Sequence, residues 1–342
     1  MTFTGLFDIQ SRLSKLDRTG DPLVLLKTSL NWELFRPELE AIRTKERKSN
    51  AGRKAYDVIL MFKMLVLQSL YNLSDDQLEI QVLDRLSFMR FLDLNIGDNV
   101  PDAKTIWSFK EVLNKGDRVQ ELFMKFDDFL RTNGFQARKG QIVDASIVRV
   151  PIQRNNLDEN KRIKSGEGED VCKQWPSSKA SQKDVDARWT KKNGRSYYGY
   201  KNHISVDAGG KFIRHYSVTD ASVHDSNIFL ELLDDNNSSR DVWADSAYRC
   251  AEHEYLLAAR GFRGHLQRKG YRGHPLSERA KRGNRSRSRI RSRVEHVFGV
   301  MRQRAGNLII RCIGIIRGAR TIGLRNLAYN MSRYALLTTM NR

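Results

Sequence analysis

The run from Arg285 to Arg302 constrains this chain more than any other: nearly every polar position is cationic, yet one carboxylate, Glu295, stands among the arginines. At about 100° per residue, Ile290, Val294, Val297, Phe298 and Met301 share one apolar stripe, so the run predicts a helix with that stripe toward a core. Arg291, Glu295 and Arg302 fall on a second stripe beside it, which brings Glu295 out at the rim of the core. A surface helix whose glutamate offsets basic neighbours through i,i+4 pairing would explain this much. Two aspartates upstream point further.

The basic character is clustered. Residues 260–304 hold fifteen Lys and Arg against two acids, Glu278 and Glu295, within a chain of 342 residues and formal charge +20. Such a block is the electrostatic footprint of a protein that meets a polyanion, and nucleic acid is the expected partner. Cys172, Cys250 and Cys312 are too widely spaced for a zinc pattern and odd in number, which fits a reducing cytosol. No signal peptide is visible, and the most apolar run, Val58 to Leu70, is too short to span a bilayer and contains Lys63, so it reads as a buried helix.

Up to about Arg131 the signals are helical. Ser74-Asp75-Asp76-Gln77 has the form of a capping box, followed by Leu78, Val82, Leu86 and Met89 at helical spacing. Pro101-Asp102 opens another helix, with Ile106, Phe109, Val112 and Leu113 inward. These helices either read DNA through a helix-turn-helix or simply pack. At Gln141 the pattern changes: Gln141 to Val150 is rich in β-branched residues and reads as a strand, with Asp144 inside it. Residues 155–196 are polar and read as a long mobile loop. Tyr197 to Val206 and Lys211 to Val218 flank a Gly-containing turn and form a hairpin. A helix over Ser226–Leu233, a short strand Asp241–Asp245, a helix near Glu252–Arg260, a strand near Phe262–Gln267, the arginine block and the Glu295 helix complete the order.

This is the element order of a ribonuclease H-like fold: α/β, a mixed five-stranded sheet flanked by helices, here preceded by an all-helical N-terminal domain. In that arrangement the first and fourth strands, which carry Asp144 and Asp245, lie side by side so that both aspartates reach one end of the sheet, and the last helix lowers Glu295 toward them. Three converging carboxylates repel one another unless cations sit among them. Oxygen donors favour Mg²⁺, with Mn²⁺ able to substitute. Two ions about 4 Å apart can clamp the attacking and leaving oxygens of an in-line phosphodiester displacement. Arg291 and Arg302 would hold phosphates beside them, with Arg289, Arg293 and Lys201 as further DNA contacts. His203, His224 and the tryptophans Trp175, Trp189 and Trp243 have packing or capping roles as their simpler explanation.

The local runs also resemble a family. Leu73-Ser74-Asp75-Asp76-Gln77-Leu78-Glu79, Val100 to Ile106, Ile142-Val143-Asp144-Ala145-Ser146, Asp186 to Lys192, Tyr198-Gly199-Tyr200-Lys201-Asn202-His203, Val223-His224-Asp225-Ser226, Ala244 to Tyr248 and Arg293 to Gly299 are similar, in the same order, to bacterial insertion-sequence transposases of the DDE superfamily, insertion-sequence-five family. The resemblance implies that Asp144, Asp245 and Glu295 are the metal-binding catalytic triad. Relatives carry a Tyr, two residues, Arg, three residues, Glu, six residues, Lys signature. Here Arg291 and Glu295 match it, Arg302 stands for the Lys and Ser288 for the Tyr.

The expected organisation is a helical domain over 1–135 that helps to bind DNA ends, a catalytic domain over 136–310 containing the polar loop 155–196, and a C-terminal helix over 311–342 packing on the core. The expected activity is a DNA transposase that binds terminal inverted repeats, cuts at the ends and joins the 3′-hydroxyl to target DNA. It would act as a homodimer on double-stranded DNA, in the bacterial cytoplasm at the nucleoid and with no membrane. A stand-alone nuclease of the same fold and a transposase-derived DNA-binding regulator are the alternatives.

Overall fold

In the computed structural model, residues 8–42, 54–306 and 309–340 are described. The chain divides into two compact units, residues 1–126 with 324–342, and residues 127–323. The first unit is helical: α1 Asp8–Thr19, α2 Pro22–Ser29, α3 Arg36–Glu40, α4 Val58–Tyr71, α5 Asp75–Asp84, α6 Leu86–Leu92, α7 Ala103–Leu113 and the start of α8 Arg118–Thr132. Its centre is α4, apolar on all sides and buried over nearly its whole length, as the sequence leads one to expect. The Asp57 side chain caps it by accepting from the Ile59 and Leu60 amides, and Asn72 ends it in the left-handed region at φ 53°. Lys63, buried inside it, donates to Asp93 at 2.7 Å.

The helix predicted to run from Leu78 through Met89 is two helices. Ser74 caps α5 through the Gln77 amide, but Arg85 adopts extended backbone and α6 begins afresh at Leu86. Periodicity alone did not see this break, because Leu78, Val82, Phe88 and Met89 are all buried on both sides of it. The α7 start was legible: Asp102 accepts from the Thr105 amide at 2.7 Å.

The second unit is built on a sheet of six strands, not five. They are β1 Gln141–Arg149, β2 Arg188–Lys192, β3 Arg195–Asp207, β4 Ile213–Asp220, β5 Asp241–Ala244 and β6 Arg263–Leu266. The order is β2-β3-β1-β5-β6, with β4 also on β3. β1 is central, antiparallel to β3 and parallel to β5, so the sheet is mixed. The extra strand, β2, comes from the stretch expected to be a loop. That stretch also forms α9 Leu157–Lys164, α10 Gly168–Lys173 and α11 Ser177–Ala180. Asn156 and Glu159 close a reciprocal capping box on α9, and buried Ile163, Val171 and Ala187 anchor the segment. Asp184, itself buried, accepts from the Tyr200 hydroxyl at 2.7 Å. Few apolar residues suffice here because caps and buried polar contacts supply the order.

Gly199 lies where β3 is flanked by both β1 and β2, at φ 149°, and a Cβ there would come within 2.2 Å of the Val148 carbonyl oxygen. Only glycine fits. One layer over the sheet gathers Val143, Phe229, Val242, Tyr248, Leu257 and Leu266. It includes the 3₁₀ segments Asp225–Leu232 and Ser246–Tyr248 and the helix α12 Ala251–Ala259. A second cluster joins Val148, Tyr198, Tyr200, Ile310 and Ile322. Beneath the far end of β3, the fully buried Arg214 donates to Asp127 at 2.6 Å, Asp207 at 3.2 Å and the Phe135 carbonyl at 2.6 Å.

The arginine block and the Glu295 segment, expected as successive pieces, are one helix, α13 Glu278–Ala305, capped by Ser277. Val294, Val297, Phe298 and Met301 are buried, as the apolar stripe requires, and the helix packs on β1 and β5. The final helix, α14 Ile315–Met340, begins with its amide at Ile315 bonded to Asp186 at 2.8 Å.

Candidate active site

Register sets the first two acids. Gln141 pairs with Val242 and Ile142 with Trp243 in parallel, so Asp144, inside β1, and Asp245, just past the end of β5, each two residues further on, come side by side. Neighbouring strands lie about 4.8 Å apart. Asp144 accepts from its neighbour's amide, Ala145 N–H, at 2.8 Å. Asp245 accepts from the Ala247 amide at 2.7 Å and thereby caps the 3₁₀ turn that follows.

The third acid arrives on α13. Arg291 bridges it to the sheet: one guanidinium nitrogen donates to Asp144 at 2.8 Å and another to Glu295 at 2.7 Å. The i,i+4 spacing foreseen in the sequence therefore serves a contact that spacing could not reveal, since Asp144 lies 147 positions away. Burial pushes the Asp144 carboxyl up to about 6 from an ordinary 3.8. Arg291 and the Ala145 amide pull it down, while the Asp245 charge pushes it further up. Glu295 is exposed, with its side chain 60% accessible.

All three acids line one cleft of about 1120 Å³ together with Arg291 and Arg302. Lys192 and Arg195 from the β2–β3 hairpin, and Arg311, line it too. The sequence reading did not single these cations out. The signal was present, because basic residues at the two ends of a tight turn project together from a hairpin.

The donor set is oxygen only, which suits a hard divalent cation. In this conformation, however, no three His, Cys, Asp or Glu side chains among the described residues are grouped closely enough to hold a metal ion. The Arg291 guanidinium provides the positive charge between Asp144 and Glu295 instead. A buried carboxyl that resists ionising, beside a second carboxylate on the next strand, is still a place that favours a cation.

The remaining expected contacts separate. Arg302 is exposed in the cleft, seven residues beyond Glu295. Arg289 is exposed on α13 outside the cleft lining. Arg293 turns aside and donates to the Ala208 carbonyl at 2.6 Å. Lys201, expected at the DNA, is buried in β3. Its ammonium donates to the Val223 carbonyl at 2.6 Å and pairs with Asp225 at 2.8 Å, so its charge holds the 3₁₀ segment against the sheet.

The histidines and tryptophans take structural places. His203 is fully buried against the Thr219 hydroxyl at 2.9 Å, and burial pushes its imidazole down to about 4. His224 caps the segment at Ser226. Trp243 is buried and stacks on His265, with ring centres 5.1 Å apart. Trp175 donates to Glu159 at 2.8 Å. Tyr248 is buried among the sheet's apolar layer, and burial, with Asp144, Asp225 and Asp245 nearby, keeps its phenol well above the ordinary 10 and therefore neutral.

Comparison with known proteins gives this geometry a context. A family model described as "Transposase DDE domain" matches residues 136–331, and a second model, also described as a transposase domain, matches residues 11–112. Among solved structures, a cryo-EM structure of the piggyBac transposase synaptic complex with hairpin DNA is similar at a TM-score of 0.46 and 13% identity. The match covers 94% of this chain and 76% of that one. Likeness at that level adds nothing to the assignment, which the family match carries by itself over more than half of the chain. With two aspartates abreast on neighbouring parallel strands, where β5 ends, and a glutamate tied to one of them through Arg291 on α13, the chain belongs to the DDE transposases, enzymes that cut and transfer DNA.

Proposed function

We propose that this protein mobilises an insertion sequence of the insertion-sequence-five family. It would bind the element's terminal inverted repeats as a homodimer, cut at their ends and join the 3′-hydroxyls to target DNA. In this reading the sheet-bearing unit is a ribonuclease H-like core, and Asp144, Asp245 and Glu295 are its triad. The helical residues 1–135 contribute to end recognition. The observation that carries the reading is Arg291 tying the α13 acid to the strand acid, beside a second acid in parallel register. No helix among the described residues is long and apolar enough to cross a membrane, and we place the protein at the bacterial nucleoid.

Two Mg²⁺ ions, or Mn²⁺ in their place, are the group this donor set would hold. When bound they supply Lewis-acid activation of the attacking oxygen and charge neutralisation at the leaving one. The chain's residues do the rest. Asp144 and Asp245 are fixed by backbone amides, so their lone pairs are oriented before substrate arrives. Glu295, exposed and tethered among the described residues only through Arg291, is free to swing inward when that guanidinium leaves. Arg291 then exchanges two carboxylates for a DNA phosphate, a trade between similar charge-assisted bonds. Arg302 and the hairpin cations Lys192 and Arg195 meet the strand from the other walls of the cleft.

The test is a linear fragment carrying the candidate ends, incubated with Mg²⁺ and either wild type or Asp144→Asn. The wild type is expected to nick at the end and to give strand-transfer products. The variant is expected to lose cleavage at least a thousandfold while binding ends within about threefold of wild type. Undiminished cleavage by the variant would remove Asp144 from the chemistry.

A further inference from the structure

Beyond the carboxylates, α13 takes part in a second charged cluster, and no acid among the described residues pairs with its centre. The chain after β6 turns back at Tyr271 and His274, whose backbones bond to each other, and lies against α13. Asn284 pins it there at two points, accepting from the Arg268 amide at 3.0 Å and donating to the Arg268 carbonyl at 2.8 Å. Gln267 adds a bond to Ser288 at 2.7 Å. These contacts fix the backbone of Arg268 and leave its side chain exposed.

Arg287 sits on the same side of α13. Its guanidinium reaches the Asn284 side-chain oxygen at 3.4 Å and lies back over Gly283, where a Cβ would stand 3.2 Å from it. Arg249, four residues after Asp245 at the end of the 3₁₀ turn, donates to Glu254 at 2.8 Å. No carboxylate pairs with Arg268 or Arg287 among the described residues. Like charge is concentrated here, and the Arg287 guanidinium is held below its ordinary value by burial first, and then by Arg268 and Arg249.

Arg268 and Arg287 thus meet at one asparagine, Asn284, and the charge of Arg249 adds to theirs at Arg287. Such a cluster is unfavourable in the free protein and is completed by an oxyanion that can accept several forks at once. Arg287, Arg291 and Glu295 follow one another at i,i+4, on one face of the helix. Eight residues at a rise of about 1.5 Å place Arg287 about 12 Å from Glu295 along the axis. For a B-form strand lying along the helix, with about 3.4 Å per nucleotide, that is three to four nucleotides.

We propose that Arg268 and Arg287 form one phosphate-binding site, which grips the DNA backbone three to four nucleotides from the scissile phosphate and sets the register in which the strand meets the carboxylates. The position along the strand rests on the catalytic reading above, whereas the phosphate site itself does not.

The experiment therefore begins without cleavage, on a mixed-sequence duplex. Binding is measured across a salt series for wild type, Arg268→Ser, Arg287→Gln and the double variant. Arg268→Ser removes only an exposed side chain from a backbone that Asn284 holds. Each single variant is expected to weaken binding about tenfold and to lower the slope of log affinity against log salt by about 0.9, the signature of one phosphate. The double variant should lose little more slope than either single one. An unchanged slope in Arg268→Ser, or a loss of about 1.8 in the double variant, overturns the single site.

A second measurement places it: single neutral methylphosphonates are walked along an end fragment. Substitution three to four positions from the cut is expected to weaken wild type about tenfold and the double variant not at all. Equal effects on both proteins at every position overturn the placement. A wild type that cuts no end would sink the catalytic reading alone, because the salt series reports on the cluster without any cutting.

Discussion

Asp144 should make this protein less stable than its disabled variant. Its side chain is only 13% exposed, and burial outweighs Arg291 and the Ala145 amide, leaving the carboxyl at about 6 against an ordinary 3.8. A carboxyl whose folded value is raised favours folding in full only below the unfolded value, and that contribution is lost as pH climbs through the folded one. At pH 8 the ionised group costs about 3 kcal/mol relative to a neutral one, and at pH 5 about half as much. Asp144→Asn keeps the size and one oxygen, which can accept from the Ala145 amide or from Arg291 but not from both, since these bonds fall on different carboxylate oxygens; against that loss it has no charge to desolvate. In EDTA, urea unfolding followed by far-UV circular dichroism should therefore find the variant up to about 3 kcal/mol more stable than wild type at pH 8. The gap should narrow toward pH 5. Mn²⁺ should raise the stability of wild type, because it binds the folded form, and raise the variant less. A variant equal to or weaker than wild type at pH 8 without metal would refute the claim that Asp144 is held at an energetic cost.

Two other perturbations follow from packing. Arg214→Ala strips Asp207 of its only cationic side-chain partner among the described residues and Asp127 of one of two. Denaturant unfolding should show a loss of about 3–5 kcal/mol, without any change in DNA affinity per folded molecule. Gly199→Ala forces a methyl against the Val148 carbonyl and a side chain into a backbone region that favours glycine. It should lower the thermal midpoint by several degrees, corresponding to at least about 2 kcal/mol, and a neutral result would deny the close approach of β3 and β1.

What could be read from the residues is what local chemistry dictates. The Gln141–Arg149 strand announced itself by its β-branched residues, and α13 by an apolar stripe that the structure buries at Val294, Val297, Phe298 and Met301. The placement of Asp144 beside Asp245 was legible through element order, because parallel neighbours in such an order have few registers available. Residues 157–192 were not legible as structure. Their helices are short, and their order depends on Asn156 capping Glu159, on Asp184 meeting Tyr200 and on Asp186 meeting the Ile315 amide, pairings that are mostly distant in sequence. The break at Arg85 was hidden for the opposite reason: the apolar rhythm continues across it. Lys201 shows the limit of reading charge. In composition it is one more cation, and only the fold reveals that Asp225 has already claimed it.

Because Arg287, Arg291, Glu295 and Arg302 all ride on one unbroken rod of 28 residues, their mutual bearings are fixed by helical screw symmetry alone. A single codon inserted between Arg291 and Glu295 would turn everything beyond it by about 100° and advance it by about 1.5 Å, carrying the acid off the face that looks at the sheet. A connector such as residues 174–176, between α10 and α11, can lengthen or shrink while the strands keep their register. The span from Arg287 to Arg302 has no such freedom: it behaves as a vernier, tolerant of exchanged letters and intolerant of a changed count.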